Sequence, residues 1–248
     1  MSGISASSIS AFQQANLVNQ VQTRVARKTL DVEVKNAVLA PHFVLGDEAS
    51  AASWNERRNA PGPWTELEGK NIVLSVPSNV VRNWDDPAPL IEFWDAAVAS
   101  HCQLAGIEIP KRRERFVPDA QISAGYMHSG YPIMMQLDQV RAKKRLPPLL
   151  DLETLKSDGS WGLFHELGHN RQRPWWTFSG TGEVTCNFFS LYTGQKLSGI
   201  EPWENSWLQG HKKKGARYLE NGADFEEWKK KPGVALLCYA QIQREFGW

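Results

Sequence analysis

The feature that most constrains this chain is the motif His165-Glu166-Leu167-Gly168-His169. Histidines at positions i and i+4 point the same way only on a helix, so a chain that uses both on one metal ion must build a helix here. Glu166 then sits one step round from His165, close to the metal but not on it, where it can take a proton from water. Ser160 reads as the cap of that helix, and Pro174 lies beyond its end. A motif of this size arises by chance in about one in a hundred chains of this length. Two surface histidines at helical spacing are therefore the plain alternative. Gly168 adds weight to the metal reading. Glycine inside a helix costs about 1 kcal/mol relative to alanine and asks for a packing or access reason.

A hydrolytic zinc site takes three protein ligands and keeps a fourth position open. His165 and His169 supply two. Glu183, at the start of a helix read over 182–197, is the nearest good third candidate, with the loop at 174–180 turning the chain back. Asn187 lies four residues further on the same face, placed to hydrogen-bond a ligand. The competing reading of Glu183 is a solvent-facing residue that favours the helix dipole. His128 reads equally as a substrate contact, an oxyanion stabiliser or a structural histidine. Tyr192 either faces the cleft or packs in the core. His42, His101 and His211 show no partner pattern. Trp175 and Trp176 follow the motif, and large aromatics there suit sugar rings or, more ordinarily, a core. No Gly-rich phosphate loop, no GxSxG elbow and no Cys–His nucleophile pair is present.

The rest of the chain bounds the setting. Its 248 residues are 42% apolar and 22% charged, as expected of a soluble globular protein. A net charge of +1 gives no global field for nucleic acid or an anionic membrane. The basic runs Lys111 to Arg115, Arg141 to Arg145 and Lys212 to Lys214 read as solvated faces. Three cysteines, an odd number, argue against a disulfide framework. No stretch approaches the ~18 apolar residues of a membrane span. No secretory leader is visible, so the expected compartment is cytoplasmic, although a secreted chain stripped of its leader would read alike.

Residues 1–40 form a polar segment, disordered or loosely helical, with β-branched residues from Leu30 to Val44 suited to a strand or two. Asn59 to Pro63 is a turn-rich boundary. Asn71 to Val76 reads as a buried strand ending at Pro77. Asp86 and Pro87 open a helix whose apolar positions are Leu90, Trp94, Ala97, Val98 and Cys102, with Gly106 as its stop. Residues 121–137, broken by Gly125 and Gly130, read as two short strands or as one strand with a kinked loop. A last helix over 232–246 offers Val234, Leu237, Cys238, Ala240, Gln241, Ile242 and Phe246 as a buried face. Strands early and helices late place the fold in the α+β class.

Trp161 to Tyr192 resembles the catalytic segment of the enhancin-like, or accessory mucinase, metallopeptidases of family M60, with HExxH followed after a gap by a ligand glutamate. Ala60-Pro61-Gly62-Pro63-Trp64, Asn71 to Pro77 and Gln121 to Met134 are similar to the branch of vertebrate channel-associated factors that carry a peptidase-like domain. The resemblance implies a zincin-like fold of the gluzincin type over residues 41–248, a small mixed sheet followed by a helical half. It implies zinc on His165, His169 and Glu183, with Glu166 as general base. It also implies a cleft bordered by a strand at Ile122 to Met127, so that Gly125, Tyr126, His128 and Tyr192 are candidate substrate contacts. The expected activity is peptide-bond hydrolysis, on protein or O-glycosylated (mucin-type) protein. The alternative is a regulatory or binding module that keeps the zinc, with a membrane protein as partner. A structural domain with a fortuitous motif is the remaining reading. No nucleic-acid partner is expected.

Overall fold

The structure is a computed structural model and describes residues 37–141 and 149–248. The expectations placed on residues 1–36, and part of the basic run at 141–145, lie outside the described residues.

A six-stranded mixed sheet comes first. Its strands are β1 (His42–Val44), β2 (Trp64–Glu68), β3 (Ile72–Pro77), β4 (Glu114–Asp119), β5 (Met127–His128) and β6 (Ile133–Gln136), in spatial order β1-β2-β3-β4-β6-β5. β2 with β3 and β5 with β6 are antiparallel; the other neighbours are parallel. β3 is buried along its whole length, as its run of apolar residues demands of an inner strand. β5 lies at one edge of the sheet, opposite β1. Gly125 at φ +62° and Gly130 at φ +111° turn the chain before and after it, in a backbone region that suits glycine. These turns correct one expectation. The strand foreseen at Ile122 to Met127 shrinks to Met127–His128, because the chain bends through residues 123–126 before it can pair.

Nine helices of the described residues complete the fold: α1 (Glu48–Arg57), α2 (Ala88–Ala105), α3 (Leu152–Asp158), α4 (Trp161–His169), α5 (Gly182–Ser198), α6 (Ser206–Gln209), α7 (Lys212–Glu220), α8 (Phe225–Lys229) and α9 (Pro232–Phe246). α2 begins where Asp86 accepts a hydrogen bond from Ala88 N at 2.9 Å, and it ends on Gly106 in the left-handed conformation. Its buried stripe of Leu90, Trp94, Ala97, Val98 and Cys102 packs with Leu74, Phe116 and Ile133 of the sheet and with Leu163, Phe164 and Leu167 of α4 in one apolar cluster. Trp94 meets Phe116 edge-on at 5.1 Å, and its indole N–H donates to Leu149 O at 3.1 Å. A second cluster joins Val184 and Leu191 of α5 to Leu208 and to Ala235, Leu236, Leu237 and Ala240 of α9.

α5 takes part on both sides, which explains its almost continuous burial from Val184 to Gly194. Two further expectations are corrected. Ser160 occupies the cap position of α4, but its hydroxyl makes no capping bond. On α9 the buried residues are Gly233 to Leu237 and Ala240, whereas Cys238, Gln241, Ile242 and Phe246 are exposed. That face stays exposed, so periodicity alone overstated the stripe.

Candidate metal centre

α4 and α5 cross at the motif. Gly168 is what lets them approach: a Cβ there would strike the Cys186 carbonyl oxygen and lie 3.1 Å from the Phe189 ring. With the backbones this close, the first turn of α5 stands over the last turn of α4. Glu183 Oε2 lies 3.2 Å from His165 Nε2, and Glu183 Oε1 lies 3.6 Å from His169 Nε2. The two imidazole Nε2 atoms face each other at 3.1 Å.

The hydrogen bonds around the rings decide what those atoms offer. His165 Nδ1–H donates to Asn187 Oδ1 at 2.7 Å, and His169 Nδ1–H donates to Gln172 Oε1 at 2.8 Å. Both amides are fixed in that orientation by their other ends. Asn187 Nδ2 donates to Glu183 O at 2.7 Å, and Gln172 Nε2 donates to Gly182 O and Thr185 Oγ1, each at 2.6 Å. A neutral histidine that donates from Nδ1 is bare at Nε2. Two imidazole nitrogens and a carboxylate therefore converge on one point, where a cation would meet all three. The donor set, two imidazole nitrogens and a carboxylate oxygen, is the set that catalytic zinc takes. The residues present fit the ion.

Cys186 completes a group of four candidate ligand side chains within 4.8 Å of one another. Its Sγ lies nearer to His165 Nδ1, at 3.4 Å, than to Nε2, at 3.9 Å, and so beside the ring rather than at its metal-facing tip. Burial first, then the charges of Glu183 and Glu166, pushes its thiol up.

Glu166 is buried and lines the same cleft as His165 and Glu183, a space of about 600 Å³. Burial pushes its carboxyl above the ordinary range, against the pull of His165 and His169. Tyr126 and Met127 form part of the opposite wall. The Tyr126 hydroxyl donates to Asp138 Oδ2 at 2.6 Å and accepts from Gln139 Nε2 at 2.7 Å, which fixes it at the rim.

The other expected residues fall in different places. His128 sits on β5 near enough to Glu166 to act on its charge, and its ring is held by Ser123 Oγ at 3.0 Å and Ser129 O at 2.9 Å. Gly125 shapes the turn into β5. Tyr192 does not line the cleft. It follows Glu183 by nine residues, about two and a half helical turns, and so lies on the far side of α5, where it packs edge-on against Trp248 at 5.2 Å. Sequence reasoning missed Gln172, although its spacing of three from His169 is that of helical neighbours. It also missed Trp207 and Pro232, cleft residues far along the chain for which no local signal exists.

The model of the family described as "Peptidase M60, enhancin and enhancin-like" matches residues 36–248. The chain is 40% identical over 225 residues to TRPM8 channel-associated factor 2 of Bos taurus, covering 88% of this chain and 24% of that protein. It is 38% identical over 248 residues to a TRPM8 channel-associated factor homolog of Xenopus laevis, covering 97% of this chain and 26% of that one. It thus spans about a quarter of the length of the curated relatives it matches. Among solved structures, a conserved protein of unknown function from Bacillus anthracis superposes with a TM-score of 0.65 at 26% identity, over 82% of this chain and 42% of that one. A metallopeptidase from Bacteroides thetaiotaomicron superposes with a TM-score of 0.56 at 18% identity, over 69% of this chain and 29% of that one. That likeness bears on the fold, which is zincin-like.

Proposed function

This chain belongs to the peptidase M60, enhancin and enhancin-like, family, and from that premise we propose that its cleft is a zinc peptidase site with Glu166 as general base. One observation carries the reading: the Nε2 atoms of His165 and His169 converge with the Glu183 carboxylate, in the same cleft as Glu166. When bound on His165, His169 and Glu183, zinc supplies the Lewis acidity that makes water nucleophilic near neutral pH.

The chain's own residues do the rest. Asn187 and Gln172 hold the two imidazoles in the tautomer and orientation that present Nε2. Glu166 accepts the proton that the attacking water loses and returns it to the amine nitrogen that leaves. Its raised affinity for a proton suits it to both halves of that exchange. Among the described residues β5 pairs only with β6, and its outer edge is the proposed place to hydrogen-bond the backbone of an extended substrate beside Tyr126 and Met127. Mucin-type O-glycosylated proteins are the proposed substrates, in line with the family resemblance.

Measuring bound zinc, together with cleavage of a mucin-type glycopeptide library, tests the reading. One zinc per chain and cleavage lost in Glu166→Gln with zinc retained is the expected result. Cleavage unchanged in that variant would sink the mechanism. The identity to channel-associated factors favours a second reading, in which the domain keeps its metal and serves a membrane-protein partner with little or no proteolysis. One zinc per chain with no cleavage of any library member would select it.

A further inference from the structure

Beyond Trp207 and Pro232, which wall the metal cleft, the same two residues wall a second pocket of about 400 Å³. Its lining is basic. Lys214 and Arg217 come from α7 and Lys231 from the residue before α9, and no carboxylate side chain lines it. Lys231 is shared with Glu227 at 3.5 Å, whereas Lys214 and Arg217 meet no carboxylate among the described residues. The three side chains are exposed, and their joint positive field around a concave space favours an entering anion.

The pocket is also built rather than incidental. His211 Nδ1–H donates to Trp207 O at 2.9 Å, and the ring lies against Gly233 so closely that a Cβ there would overlap it. The stack of Trp207 on Trp161 at 4.3 Å ties this wall to the first residue of the motif helix.

We propose that this pocket is a subsite for a carboxylate carried by the substrate a few residues from the bond held at the metal cleft. The inference rests on the peptidase reading of the cleft for its placement, and it adds the class of substrate: chains that bear acid groups near the scissile bond. Two sources share that chemistry, the side chain of an acidic residue and the acid sugar of a glycan. A carboxylate bridging Lys214 and Arg217 forms charge-assisted bonds to both.

Binding tests this apart from turnover. Fluorescent peptides carrying glutamate at successive positions, the same peptides with glutamine, and glycopeptides with and without a sialic acid are titrated into the whole chain as the Glu166→Gln variant. Binding about tenfold tighter for the acid-bearing member of a pair, weakened by added salt, abolished in Lys214→Glu with Arg217→Glu and kept in Lys213→Glu, supports the subsite. The pair that shows the preference names the source. Lys213 is exposed on α7 outside the pocket lining. Equal binding of acidic and neutral members in both arms overturns the subsite, and so does a preference that survives the double charge reversal. Should the wild-type chain hold no zinc and cut nothing, yet keep a charge preference that the reversal removes, the peptidase reading falls and the anion subsite stands.

Discussion

At the scale of single residues, the two amides behind the histidines matter as much as the histidines. Asn187→Ala frees His165 to take the other tautomer and leaves Nε2 protonated for part of the time; Gln172→Ala does the same for His169. Each is expected to lower zinc affinity roughly 10- to 100-fold while the fold persists, measured by competition with a chromophoric chelator. Asn187 was legible because it stands one helical turn from Glu183. Gln172 was not, because its value depends on the chain returning to place Gly182 and Thr185 against it.

His101 shows the same limit. It has no sequence pattern, yet it is fully buried, and its Nε2 lies 2.9 Å from the Phe164 carbonyl in the motif helix. Burial lowers its pKa to about 4 from an ordinary 6.5, against the pull of its carbonyl partners. The unfolded chain takes up a proton here below 6.5, and the folded chain only near 4. This stability is therefore complete above pH 6.5 and is lost as pH falls from 6.5 toward 4, by about 3 kcal/mol. Urea midpoints from pH 7 down to pH 4 should fall more steeply in the wild type than in His101→Gln.

At the scale of elements, the crossing of α4 and α5 is the part of the fold that the site cannot do without. Gly168→Ala puts a methyl group against the Cys186 carbonyl and the Phe189 ring. The helices must separate, which costs about 1–3 kcal/mol as overpacking and moves Glu183 off its histidines. Thermal unfolding and zinc affinity should fall together in this variant, and an intact affinity would show that the carboxylate does not depend on the crossing.

Glycine in the motif was a readable hint of such an approach, and the bounds of α2, α4, α5 and α9 were readable from caps, prolines and apolar spacing. The edge strand was not. Gly125 and Gly130 mark turns in the sequence, but only the pairing of Met127 with Met135 and of His128 with Met134 shows how little strand survives between them.

At the scale of the whole molecule, the metal centre lies where helices of both apolar clusters meet. α4 belongs to the cluster under the sheet, and α5 carries Val184 and Leu191 into the other. On the proposed reading, an ion held by His165 and His169 of one helix and Glu183 of the next would tie these groups together, so metal and fold should be linked. Removing zinc with a chelator should lower the unfolding midpoint, with about 4 kcal/mol at stake when free zinc stands ~1,000-fold above its dissociation constant. Calorimetry with and without chelator measures it, and an unmoved midpoint would show that the three side chains hold no ion in the folded chain. The strand-then-helix order was visible in the sequence. The wall formed by Trp207 and Pro232 was not, because it depends on where α6 and α9 pack.

The brevity of β5 has a consequence in time rather than in space. Two residues of strand give a substrate backbone a register but few bonds to keep it. If the cleft cuts peptide as proposed, a cleaved chain held by so few contacts would depart quickly, and another copy of the protein would find little edge to zip along. Dwell time would then be set by what a substrate carries beyond its backbone, and selectivity would follow from its decorations rather than from the bond that is cut.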